Sequence, residues 1–226
     1  MTEKNLRQIF VATAEAWLGC NVADGTHKKI IDLYNSRYPL PRSTPVKYTD
    51  AWCATFVSAV SYKAGLNGII PPECGCEKMT ELLKIHGSWH EDESYIPQTG
   101  DIIFYDWQDN GVGDCTGYSD HVGIVVEVID GTIKTIEGNI NIGGTSGVGY
   151  RTMPVNARYI RGYGIPDYAS LATPEYIGDP SEWARVSCAK AVNNKIFHGD
   201  GTGFRWTDGI TREELCVVLD NLGLLG

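Results

Sequence analysis

Two apolar runs, Val122-Gly-Ile-Val-Val-Glu-Val128 and Thr132-Ile-Lys-Thr-Ile-Glu137, meet across Asp130-Gly131. That dipeptide suits the two-residue turns whose central residues need positive φ, so the runs are expected to pair as an antiparallel hairpin. Asp101-Ile-Ile-Phe-Tyr105 and the stretch from Arg158 to Ile165 read as further strands. Upstream the period changes to that of a helix. Leu6, Ile9, Phe10 and Trp17 share one face, with the small Thr13 among them, and Phe56, Val57, Val60 and Ala64 share another within Cys53–Ala64. Helices followed by antiparallel strands predict an α+β domain over residues 1–168. Pro166 to Pro174 and Gly178-Asp-Pro180 carry turn residues, so 169–180 is read as a linker. Residues 181–226 read as helix, Gly-rich turn, helix. Ser181 is expected to cap the first helix, and Thr211 with Glu214 to form a capping box on the second.

Composition narrows the partners. A net charge of -9 argues against nucleic acid, whose phosphates call for a basic surface. No apolar run approaches the roughly 20 residues that span a bilayer, so no membrane partner is expected. The first residues form an amphipathic pattern rather than the apolar core of a secretory signal. Synthesis in the cytoplasm is therefore expected, with some other route of release if the substrate lies outside. Seven cysteines, an odd number, in such a chain are expected to be free thiols.

One cysteine is placed for chemistry. Cys53 opens an amphipathic helix, where unpaired N–H groups and the helix dipole favour a thiolate. Of the five histidines, His121 begins a strongly patterned strand, which would hold a general base rigidly. Hairpin pairing through Asp130-Gly131 brings either Glu137 or Asn139 beside it as the group that orients the imidazole. Cys74, Cys76 and Cys115 are read as loop thiols, and with His86 or His90 they lack the spacing of a zinc site. Asp106, Asp109, Asn110 and Asp114, interleaved with Gly111 and Gly113, offer oxygen ligands of the kind calcium takes, without EF-hand spacing. No cofactor or metal is expected. The same loop precedes His121 and is expected to flank a substrate cleft, with Trp107, Trp89 and Tyr118 available to stack on sugar or peptide.

Trp52-Cys-Ala-Thr-Phe-Val57, Gly100-Asp-Ile-Ile-Phe104, Asp120-His-Val-Gly-Ile-Val125 and Glu137-Gly-Asn139 together resemble the CHAP amidases and endopeptidases, papain-like hydrolases of bacterial peptidoglycan. The resemblance implies a nucleophile at Cys53, a base at His121, an orienting carboxylate at Glu137 and a further polar position at Asn139. Cleavage would be at the muramoyl–L-alanine bond or at a stem or cross-bridge peptide bond. Tyr48 is read as a second oxyanion donor beside the Cys53 N–H, and Trp52 as a neighbour of the substrate. Tyr34-Asn35 and Trp52-Cys53 are most similar to phage and prophage endolysins. In the tail, Phe204 with the glycines before it and Ile210-Thr-Arg-Glu213 resemble one S-layer homology repeat. That implies a cell-wall polymer as partner, met by Arg212, or assembly with other copies through the tail. An antibacterial effector and a non-catalytic wall-binding protein are the alternatives.

Overall fold

The computed structural model describes residues 2–92, 94–109, 117–172, 180–194, 196–197 and 204–225. Its packing divides into Arg7–Pro166 and a second unit of Met1–Leu6 with Asp167–Gly226. The larger unit is α+β. Its described helices are α1 (Glu3–Glu15, which begins in the second unit), α2 (Lys28–Asn35), α3 (Cys53–Ala64) and α4 (Cys76–Ile85). Its strands are β1 (Trp89–His90), β2 (Ile102–Tyr105), β3 (His121–Ile129), β4 (Thr132–Ile142), β5 (Thr145–Pro154) and β6 (Ile160–Gly164). They form one antiparallel sheet in the order β1-β6-β2-β3-β4-β5.

The hairpin β3–β4 turns at Asp130 and Gly131, with φ of 48° and 72°, as that dipeptide allows. Helix α3 packs on β3 and β4. Every residue from Cys53 to Ser61 is buried, so α3 is a core helix rather than the one-faced amphipath its spacing suggested. The approach of β4 to its first turn depends on Gly138, where a Cβ would lie 2.5 Å from the Phe56 Cβ and 2.9 Å from Trp52. On α1 the buried residues are Leu6, Arg7, Phe10, Val11 and Ala14, with Trp17 just beyond the helix. Thr13 is not among them and donates its hydroxyl to the Ile9 carbonyl at 2.7 Å, a local satisfaction that leaves the residue free to stay partly exposed.

Several elements depart from the sequence reading, among them α2 and β1, which it did not anticipate. Cys76 begins α4 instead of lying in a loop. The Gly-rich stretch Thr145–Pro154 is a strand along the whole of β4, because pairing to a neighbour supplies the order its own propensity lacks. In the second unit, α5 (Arg185–Asn193) follows a 3₁₀ turn over Glu182–Ala184 and has Ala184 at its N-cap, so Ser181 falls too early to cap it. The last helix, α6 (Arg212–Asn221), carries the Thr211–Glu214 capping box in full.

A buried ion pair ties α1 to the sheet entrance: Arg7 Nη1 lies 2.8 Å from Asp101 Oδ1. The second Asp101 oxygen accepts from the Tyr95 hydroxyl and the Gln98 N–H. Removing one member of such a pair strands the other charge, a cost of about 3–5 kcal/mol. Asp101→Ala is therefore expected to lower the unfolding free energy by that amount in urea titration, and a loss below about 1 kcal/mol would contradict the role given to the pair.

Candidate functional site

His121 is the first residue of β3 and Glu137 lies on β4. The imidazole Nε2 and Glu137 Oε2 are 2.9 Å apart, both groups buried. Gly123, two residues along β3 and so on the same face as His121, makes this contact possible. A Cβ there would stand 2.6 Å from the Glu137 Cγ. The glycine thus admits the Glu137 side chain.

Glu137 is fully buried and gathers donors from three strands. Tyr105 Oη donates at 2.7 Å from β2, Thr135 Oγ1 at 2.7 Å from β4, and Arg151 Nε at 3.1 and 3.0 Å from β5. Burial alone would push this carboxyl up. The bonds and charges of His121, Arg151 and Tyr105 outweigh it and hold Glu137 below the usual carboxylate range. With Nε2 committed to Glu137, the other ring nitrogen is left for Cys53.

Cys53, 5% exposed, begins α3. A hydrogen bond from Cys76 is the largest influence on its thiol; the bond and charge of His121 add to it and overcome burial, so the group sits well below the usual thiol range. Burial works to lower the His121 pKa, yet its bonds to Cys53 and Glu137 push the imidazole up to about 9. The arrangement favours a thiolate beside an imidazolium.

Asn139 is turned elsewhere. It adopts φ of 61° at an irregularity in the β4–β5 pairing, and its Oδ1 accepts from Ser146 Oγ at 2.6 Å. The imidazole's partner is therefore Glu137. Tyr48 donates its single hydroxyl proton to Asp32 at 2.7 Å, and a role as oxyanion donor would require breaking that bond. Trp52 is 1% exposed and packs against His27, a core position that leaves it no face for substrate. Trp107 stays at the surface, 40% exposed, with its ring centroid 4.9 Å from Tyr105 and 5.8 Å from His121. The Arg151 guanidinium covers it at 5.1 Å. Tyr118 is exposed, whereas Trp89 packs on Phe104. Arg212 lies exposed at the start of α6, in the second unit.

Tyr105, Thr135 and Arg151 were not singled out by the sequence, and Cys76 was read only as a loop thiol. Thr135 shares the face of Glu137 by strand parity and was open to inference; Arg151 became a neighbour only through the pairing of β5, Thr135 opposite Arg151. No three His, Cys, Asp or Glu side chains converge to hold a metal among the described residues. Cys115, Asn110, Gly111, Gly113 and Asp114, central to the zinc and calcium readings, lie outside them, as do Gly199 and Gly203 of the tail.

The family profile described as CHAP domain matches residues 44–139, a span holding Cys53, His121, Glu137 and Asn139. The match covers less than half of the chain. It supports a CHAP-type domain over those residues. A solved structure titled "The crystal structure of Ly7917" is similar at 17% identity, over 50% of this chain and 53% of that one, with a TM-score of 0.34. No curated protein matches.

Because the folded imidazole binds its proton more tightly than an ordinary histidine, its contribution to stability is complete below about pH 6.5 and fades as pH rises through about 9. Titration of the His121 ring by NMR is expected to give a midpoint near 9, falling in Cys53→Ser, which removes the thiolate. A wild-type midpoint at or below about 6.5 would refute the ion pair.

Proposed function

We propose that the chain is a cysteine-dependent peptidoglycan hydrolase of the endolysin kind, cutting an amide bond of the bacterial wall. The observation that carries this reading is the continuous line from Cys53 at a helix start, through buried His121, to Glu137. In the proposed reaction the Cys53 thiolate attacks the amide carbonyl, and the oxyanion is met by the Cys53 N–H at the first turn of α3. His121 protonates the leaving amine and then activates the water that hydrolyses the thioester. Glu137 fixes the tautomer and supports the imidazolium charge, while its four donors keep it ionised. Trp107, beside His121 and exposed, is the surface on which a sugar or stem peptide would stack.

Digestion of purified peptidoglycan, read by mass spectrometry, tests the reaction. Free stem peptides with an L-alanine amino terminus identify a muramoyl amidase; new ends within the stem or bridge identify an endopeptidase. Cys53→Ala is expected to lower the rate on the order of 10^4- to 10^6-fold. Undiminished cleavage by Cys53→Ala would remove the nucleophile assignment, and no cleavage of several wall chemotypes by wild type would favour a wall-binding protein instead.

The second unit fits a wall-targeting role. A groove there is lined by Ile196, Phe197, Phe204 and Trp206, with Phe204 stacked on Trp206 at 5.0 Å and 13°. Stacked aromatic faces suit sugar rings. In sedimentation with insoluble walls, the Cys53→Ala chain is expected to bind, and Trp206→Ala and Arg212→Glu to weaken that binding several-fold, on the order of 1 kcal/mol; unchanged binding in both would set the targeting role aside.

A further inference from the structure

Cys76 faces the proposed nucleophile: its Sγ lies 3.4 Å from that of Cys53, and both residues are buried. The two cysteines begin α3 and α4, so two helix N-termini point at one pair of sulfurs. The contact is built into the fold. Ser58, on α3, accepts from the Glu73 N–H at 2.8 Å and donates to the Glu73 carbonyl at 2.6 Å. The buried Glu73 carboxylate in turn takes Arg42 at 2.9 and 2.7 Å and the N–H groups of Cys74 and Gly75. The segment that carries Cys76 is thereby clamped to the helix that carries Cys53.

The contact drives the two thiols apart in proton affinity. The hydrogen bond to Cys53 is the main cause holding the Cys76 thiol well above its usual range; burial and the charges of Cys53 and Asp120 add to it. Cys53 is held well below. A thiolate in contact with a thiol is the reacting pair of disulfide chemistry, and an adjacent thiol is what resolves a sulfenic acid before it oxidises further. The sulfurs need to approach by only roughly 1.4 Å to reach a bonded separation of about 2.05 Å.

We propose that Cys53 and Cys76 form a reversible redox pair that switches the hydrolase off under a hydroperoxide and spares the nucleophile from irreversible oxidation. The proposal rests on Cys53 being the nucleophile. In the first step the Cys53 thiolate attacks the terminal peroxide oxygen and the O–O bond breaks. Cys53 becomes a sulfenic acid, and the leaving alkoxide (hydroxide, from hydrogen peroxide) takes the proton of the His121 imidazolium. Cys76 then attacks the Cys53 sulfur. The S–S bond forms, the S–O bond breaks, and the hydroxyl leaves as water with the Cys76 proton. Two electrons pass from the sulfurs to the peroxide, and a dithiol reverses the change by exchange.

The test treats the full chain with near-stoichiometric hydrogen peroxide, maps peptides without reduction, and follows lysis of purified walls before and after dithiothreitol. The expected result is a Cys53–Cys76 linked peptide lacking two hydrogens, lysis lost in proportion to the linked fraction, and full recovery on reduction. Cys74→Ser should behave as wild type. Cys76→Ser, given a several-fold excess of hydrogen peroxide alongside wild type, should accumulate two or three oxygens on Cys53 and stay inactive after reduction; if that variant fails to fold, the wild-type map and recovery decide alone. Oxygen addition at Cys53 without linkage would overturn the redox pair and leave the hydrolase reading intact. Stoichiometric linkage with undiminished lysis would overturn the switch by removing Cys53 from the reaction.

Discussion

A single buried carboxylate organises this molecule. Glu137 has no exposed surface, and an ionised group taken out of water is tolerable only where bonds replace its hydration. Those bonds arrive from every direction the sheet permits: Thr135 from its own strand, Tyr105 and Arg151 from β2 and β5, and His121 from β3. The sheet holds the carboxylate ionised, and the ionised carboxylate fixes the ring of His121. Arg151 serves twice, since its guanidinium also lies over Trp107 and joins the buried charge to the exposed aromatic surface.

The second constraint is the start of α3. Buried on every side over its first residues, the helix cannot shift to accommodate a misplaced neighbour. Gly138 lets β4 meet it closely, and Ser58 fixes the Glu73 segment against it. Cys53 therefore stands where the sheet's imidazole and the thiol of α4 both reach it. A polar sheet face and a core helix supply one half each of the proposed chemistry.

Much of this was legible in the chain. The Asp130-Gly131 hairpin, the α+β order, the helix beginning at Cys53 and the Thr211–Glu214 box all follow from local rules and stand in the structure. Glu137 and Asn139 could not be separated, because residues two apart on a strand share a face until the ladder is interrupted. The irregularity at Asn139 interrupts it and turns that side chain to Ser146. Trp52, adjacent to the proposed nucleophile, proved to be core. Cys74-Gly-Cys76 read as a loop because glycine between two cysteines carries no helical signal, yet α4 starts there.

The sequence by itself determined α1, α3, the strands β2, β3, β4 and β6, the turn between β3 and β4, and which cysteine and histidine are set at element ends. Periodicity, turn conformation and capping are interactions over a few residues, so they are written in the order of the chain. Only the tertiary structure decided that Glu137 meets His121, that Arg151 and Tyr105 hold Glu137 charged, and that Cys76 touches Cys53. These contacts join residues far apart in the chain, and they depend on strand register, on the room left by Gly123 and Gly138, and on one interruption of the ladder. None of those quantities is a property of a short stretch of residues; each exists only once the sheet has formed and α3 has packed against it.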